Sequence, residues 1–142
     1  MKYWLFKSEP NTWSWDDQKG KGKKGEEWDG VRNYQARNNM REMKKGDLGF
    51  FYHSVNEKRV VGIVEVLNEA HPDSTTDDER WECVDVVAVC DMPEPVSLEA
   101  VKLEQKLKDM ILVNNSRLSV QPVKKSEWLH VCKMGGLSSP PQ

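Results

Sequence analysis

The sequence predicts an α+β fold, a small curved or barrel-like β-sheet flanked by helices. Strand-like runs crowd the middle of the chain, and another opens it. Helical patterns are inserted between and after them. A length of 142 residues suits one domain with a sizeable core. With 37% hydrophobic and 31% charged residues, the composition is that of an ordinary globular protein, not a disordered one.

"KYWLF" (Lys2 to Phe6), dense in aromatic and bulky residues, reads as the first strand. Pro10 then breaks regularity, and Ser14 is suited to cap a short helix into Asp16 and Asp17. The Gly/Lys run from Lys19 to Glu27 lacks phosphate-loop spacing, so it reads as a solvated tip or a basic lip. A helix is expected from Asn33 to Lys45, because Ala36, Met40 and Met43 recur at helical spacing. Lys44 and Lys45 oppose the negative dipole end, and Gly46 suits the position just past it.

"DLGFFYHS" and "RVVGIVEVL" follow as strands joined by "VNEK", a hairpin; "HPDSTTDDER" reads as a loop. "WECVDVVAVCDM" is the next strand, with Val84, Val86, Ala88 and Cys90 on one face; Pro93 and Pro95 should stop it. Ser97 caps a helix through about Leu107, with a further turn toward Met110. "SRLSVQPV" reads as a strand ending near Pro122. "SEWLHVCKM" reads as a closing helix that Gly135 and Gly136 end. Residues 137–142 read as a flexible tail, leaving the domain over residues 1–136.

Composition also bounds the partners. A net charge of −2 argues against a long phosphate-gripping track and for local, pocket-like contacts. No apolar run approaches the ~18 residues a membrane span needs. "MKYWLFKSEP" has too short an apolar stretch for a signal peptide, so the expected location is cytoplasmic, or nuclear in a source with a nucleus. Cys83, Cys90 and Cys132 show no Cys-x-x-Cys spacing and read as core thiols. His53, His71 and His130 are scattered, so neither a metal nor any other cofactor is expected. A monomer is the expected state.

One stretch resists a purely structural reading. "WDGVRNYQARNNMREMKKGD" sets Arg32, Asn33, Tyr34 and Arg37 just after a Trp-Asp-Gly turn. Arg37 and Arg41 share a helical face, where like charges are mildly destabilising.

"YWLFKSEP", "SWDD", "WDGVRNYQARNNMR", "KKGDLGFFYHS", "GIVEV", "LKDM", "SRLSVQPV" and "EWLHVCKMGG" together closely resemble the EVE domain family, from Lys2 to about Gly136. That family belongs to a PUA-like superfamily of small β-barrels with peripheral helices, related to YTH, SRA and ASCH domains. The resemblance implies a PUA-like fold. It also implies binding without turnover of a modified base, such as methylated cytosine or adenine, in DNA or RNA.

An unstacked base needs a planar surface, hydrogen bonds along its edge and neutralisation of the nearby phosphate. Trp28 and Tyr34 offer faces, Arg32 a planar guanidinium, and Asn33 an amide with donors and an acceptor. A phosphate would relieve the repulsion between Arg37 and Arg41. By analogy with the YTH readers, Lys7, Ser8 and Glu9 should line the pocket; an ionised Glu9 accepts only, favouring a base with an amino donor. Tyr52, His53 and Ser54 are expected near the mouth, and Arg117 is a further phosphate candidate. Trp4, Trp13, Trp15 and Trp128 read as packing residues, Trp81 as structural, and Trp28 as suited to either role. Arg37 alternatively pairs with Glu9 or Asp47.

Two other functions fit the resemblance. ASCH relatives include amidohydrolases of acylated cytidine that use a Lys/Thr/Glu set, to which Lys7, Ser8 and Glu9 are superficially similar. On a strand Ser8 would point away from its neighbours unless Pro10 bends the chain, and no third group orients a base for it. The other is a protein-interaction module that keeps only the fold.

Overall fold

The computed structural model describes residues 1–141. Six strands form one sheet: β1 (Tyr3–Ser8), β2 (Glu26–Glu27), β3 (Leu48–His53), β4 (Arg59–Pro72), β5 (Glu82–Ser97) and β6 (Val120–Val123). The helices are α1 (Trp15–Gly20), α2 (Tyr34–Glu42), α3 (Leu98–Leu103), α4 (Ile111–Asn114) and α5 (Lys125–Met134), with single 3-10 turns at Gly22–Lys24 and Gln105–Leu107. The strand order is β2-β5-β4-β3-β1-β6. β1 runs parallel to β3 and antiparallel to β6, and the remaining pairs are antiparallel. The fold is the expected α+β, PUA-like arrangement, with the curved sheet open at its β2 and β6 edges. Among the described residues no helix is long and apolar enough to cross a membrane.

Alternation along β1 builds two cores. Tyr3 and Leu5 join Phe50, Ile63, Val101 and Trp128 on one face; Trp4 and Phe6 join Met40, Phe51, Trp15 and Trp28 on the other. On the first face Trp128 stacks at 4.8 Å on Tyr3 and at 4.1 Å on Phe50. Gly62 on β4 lies beneath the Trp15 ring, where any Cβ would overlap it. Pro122 is exposed on the edge strand β6, where its missing donor is tolerated.

Several boundaries differ from the sequence reading. β5 runs through Pro93 and Pro95 to Ser97. The register explains this: Val60 opposes Val96 but Gly62 opposes Asp91, so residues 92–95 leave the ladder in a bulge opposite Val61, with Met92 buried and residues 93–95 exposed. A proline in that bulge forfeits no ladder bond. A second irregularity pairs Ile63 with Cys90 and Val64 with Ala88, and this moves Cys90 off the face of Val84 and Val86 toward the other core. β4 also takes in His71 and Pro72, which the sequence reading left in a loop.

α2 ends at Glu42, short of the expected Lys45. The Asp47 carboxylate accepts from the Lys44 N–H at 3.0 Å and from Trp4 Nε1 at 3.1 Å, drawing the chain into a turn before another helical turn can form. Gly46 (φ 95°) serves that turn instead of a helix end. Ser14 caps α1 as expected, in a reciprocal pair with Asp17. Ser97 caps α3, but the helix stops at Leu103 and gives way to the 3-10 turn. At α5 the N-cap Lys124 has no side-chain cap, and the Glu127 carboxylate accepts from the Lys124 N–H at 2.9 Å. Leu137 packs on the first core and the Pro141 carbonyl accepts from Trp128 Nε1 at 3.0 Å; of the expected tail, Gln142 lies outside the described residues.

Candidate nucleic-acid interface

β1 stops at Ser8, and the chain bends there. The Ser8 carbonyl accepts from Ser54 N–H at 2.9 Å, while the Glu9 carbonyl accepts from Thr12 and Trp13. The Ser8 hydroxyl, 91% buried with its residue, donates to the Trp13 carbonyl. At this bend Lys7, Ser8 and Glu9 all border a cleft of about 510 Å³, although the Lys7 side chain keeps to the Tyr52 side of the sheet, as alternation requires. The facing wall runs from Glu26 to Arg32, and Trp13 and Ser119 also border the space.

Both tryptophans at the cleft are fixed from behind. Trp28, 7% exposed, stands edge-on to Phe6 at 5.1 Å and to Phe51 at 5.5 Å. Trp13 Nε1 donates to Gln18 Oε1 at 2.9 Å, and the buried Gln18 in turn donates to the Val86 carbonyl. Lys7 Nζ donates to the Ser116 carbonyl at 2.8 Å, and burial draws its pKa down.

Asp73, from the loop after β4, is the brace of the facing wall. Its Oδ2 accepts from Gly30 N–H at 2.9 Å and Arg32 Nη1 at 3.1 Å, and its Oδ1 accepts from Thr75 N–H at 2.8 Å. Burial alone would raise this carboxyl, but the hydrogen bonds from Thr75, Gly30 and Arg32 outweigh it and hold the pKa down at about 2. Gly30 reaches the carboxylate in a left-handed conformation, φ 76°.

The cleft is acidic. Glu9, Glu26, Glu27 and Asp29 border it, against only Lys7 and Arg32 of opposite charge. Glu26 pairs with Lys21 at 3.3 Å, Glu27 accepts from Ser74, and Glu9 accepts from Asn11 N–H. Asp29 has no partner among the described residues. Burial pushes its carboxyl up, and Asp73, Glu27 and Glu26 add to that. The arrangement therefore offers acceptors to a ligand that brings N–H donors, with aromatic surface beside them.

Five of the twelve expected site residues, Lys7, Ser8, Glu9, Trp28 and Arg32, border the cleft; the others stand elsewhere. Asn33 is exposed and caps α2, its amide oxygen accepting from Ala36 N–H at 2.9 Å, so that acceptor is committed to the backbone. Tyr34 and Arg37 join Trp81 in a separate exposed cluster. Tyr52 is buried in the first core, on the opposite face of β3 from Phe51. His53 accepts from Trp15 N–H at its Nε2, which assigns the ring proton to Nδ1, donated to Glu57 at 2.9 Å. It borders a different cleft, with Lys19 and Asp91. Ser54 contributes its N–H to β1. Arg117 is exposed outside the cleft lining. Arg37 pairs with neither Glu9 nor Asp47, and Arg41 pairs with Glu82.

The sequence reading missed Trp13, Asp29 and Asp73. Trp13 carried a usable signal, a large aromatic in a polar loop directly after the bend at Pro10. Asp73 carried none, since its role depends on a contact 43 residues away in sequence.

Glu27, His71 and Cys83 bring ligand-type atoms within 4.8 Å of one another. His71, however, directs Nδ1 at the Pro72 carbonyl (2.9 Å) and Nε2 at Asp85 (2.8 Å), both acceptors. Burial disfavours its charge, but these bonds prevail and raise its pKa; both ring nitrogens face acceptors, which favours N–H on each over metal ligation. Burial likewise pushes the Cys83 thiol up, away from the thiolate a metal prefers.

The EVE domain model matches residues 2–134. Thymocyte nuclear protein 1 of Mus musculus is 38% identical over 158 aligned residues, spanning 89% of this chain and 70% of the relative. The crystal structure of Atu2648 from Agrobacterium tumefaciens superposes with a TM-score of 0.99 at 64% identity, over 100% of this chain and 98% of that one. Human THYN1, solved in complex with 5-methylcytosine-containing DNA, gives a TM-score of 0.90 at 34% identity over 99% of this chain and 100% of that one. The YTH domain of Zygosaccharomyces rouxii MRB1 shares the fold alone, at a TM-score of 0.58 and 17% identity over 94% of this chain and 86% of that one. Fold, motifs and family match agree, and this chain belongs to the EVE domain family.

Proposed function

We propose that this chain is a non-enzymatic reader of a modified base in DNA, taking one unstacked base into the cleft at the end of β1. The observation that carries the reading is the cleft itself. About 510 Å³ lies within the size range of small-ligand sites, and tryptophans fixed from behind stand next to unspent hydrogen-bond acceptors. The likeness to human THYN1, solved with 5-methylcytosine-containing DNA, supports cytosine as the base class.

Cytosine presents an amino donor at N4 and acceptors at N3 and O2. Asp29 or Glu9 takes the amino group; Arg32 or Lys7 supplies the complementary donors. Trp13 and Trp28 provide the aromatic surface, and Val31 an apolar contact for a methyl group. Ser8 does not resemble an activated nucleophile, because its proton goes to a carbonyl and no base accepts it. The role of these residues is to bind and orient.

Burial of one methyl group contributes about 0.8 kcal/mol, a roughly fourfold preference. Titrating paired oligonucleotides with and without a single 5-methylcytosine measures this directly. A preference of about that size is expected; identical affinities for the two would overturn the proposal.

A further inference from the structure

Tyr34 and Arg37, which the cleft leaves unused, belong to a second surface that adjoins it. Tyr34, 51% exposed, stacks on Trp81 at 5.0 Å with an interplanar angle of 26°. The Arg37 guanidinium lies 4.9 Å from the Tyr34 ring centre and 6.0 Å from that of Trp81. Arg32 caps the other end, 5.4 Å over Trp81, and the same side chain borders the cleft. Arg80 Nη1 reaches the Tyr34 hydroxyl at 3.3 Å.

The three guanidinium groups are not equivalent. Arg32 pairs with Asp73 and Arg80 with Asp78. Arg37 is held by neutral acceptors only, the Arg80 carbonyl at 2.9 Å and Asn38 Oδ1 at 2.7 Å. Its orientation is therefore fixed while its positive charge stays uncompensated among the described residues. An exposed aromatic ring beside a fixed, unneutralised guanidinium is the pairing that a nucleotide strand requires, one group for a base or sugar face and the other for a phosphate.

On the reading that a base occupies the cleft, we infer that the Tyr34–Trp81–Arg37 ladder holds the DNA strand flanking it, with Arg37 on a phosphate and Tyr34 against the neighbouring nucleotide. Arg32 joins the two sites. The ladder contributes affinity that grows with strand length and carries no information about the modification. The cleft contributes the discrimination.

The test titrates the 5-methylcytosine nucleoside and single-stranded DNAs of increasing length against wild type, Arg37→Gln and Tyr34→Ala, at several salt concentrations. Nucleoside binding should be the same in all three proteins, which also reports that the variants are folded. For the longer strands, Arg37→Gln should flatten the slope of log affinity against log salt by about 0.7, the value for one phosphate on a single strand. Tyr34→Ala should weaken binding about fivefold or more. The ratio of methylated to plain affinity should be unchanged in both. Wild-type affinity and salt slope in both variants at every length would overturn the ladder while leaving the reader intact. Strand binding lost in the variants, alongside a wild type blind to methylation, would support the ladder and defeat the reader.

Discussion

The two faces of the sheet use the same aromatic residues to opposite ends. On the first face Trp128, fully buried, is stacked between Tyr3 and Phe50, and its indole N–H is met by the Pro141 carbonyl. α5 lies across that face and closes it. The second face buries Trp4 and Trp15, each with its N–H on an aspartate. Toward the end of β1 its cover is the short α1, α2 and connecting loops, and a gap remains beside the half-buried Trp13 and the edge of the otherwise buried Trp28. The difference teaches that the aromatic residue does not decide between core and binding surface. What decides is whether a continuous element covers it.

Three substitutions would break or sharpen that contrast. The largest effect is expected from Trp128→Ala, a loss of about 3–5 kcal/mol in chemical denaturation, with ligand affinity of the remaining folded protein unchanged. A loss below about 1 kcal/mol, outside the range for such truncations, would show that the first face is not the closed core described. Next is Asp73→Asn, expected to cost about 2 kcal/mol because an amide turns N–H toward donors that the carboxylate accepts. Its pH signature is specific. The Asp73 carboxyl is depressed to about 2 in the folded protein, against about 3.9 when unfolded. Its contribution is therefore whole above about pH 4 and fades as pH falls toward 2, so the variant should lose less stability than wild type over that window. An unchanged acid profile would count against the brace.

The smallest effect on stability belongs to Trp13→Ala, about 1–2 kcal/mol of folding, since it also strips the buried Gln18 Oε1 of its donor. It should cost about 1–3 kcal/mol of binding, the range for one base stacked on an aromatic. Trp128→Ala thus changes stability alone, whereas Trp13→Ala changes affinity as well. If Trp13→Ala left affinity intact, calorimetry would remove that wall from the proposed site.

The strands were legible in the sequence because their hydrophobic patterns are strong and their burial follows from alternation. Cys90 and the two prolines of β5 were not, because bulges change the register and no local pattern announces them. The site was half legible. Lys7, Ser8 and Glu9 follow one another in the chain, and one bend brings them to the cleft. Asn33 and Tyr34 stood equally close to Trp28 in sequence, yet the start of α2 turns the first into a cap and the second onto Trp81. Sequence proximity survives a tight turn poorly once a helix begins.

β1 hydrogen-bonds to β6, the sheet's last strand in sequence order: Tyr3 opposes Val123 and Phe6 opposes Val120. Ser119 borders the cleft, and the Ser116 carbonyl holds Lys7. A folding chain in which β6 has yet to dock carries β1 with one bare edge and an unfinished wall. Competence to bind should therefore arrive abruptly, only once β6 has docked beside β1.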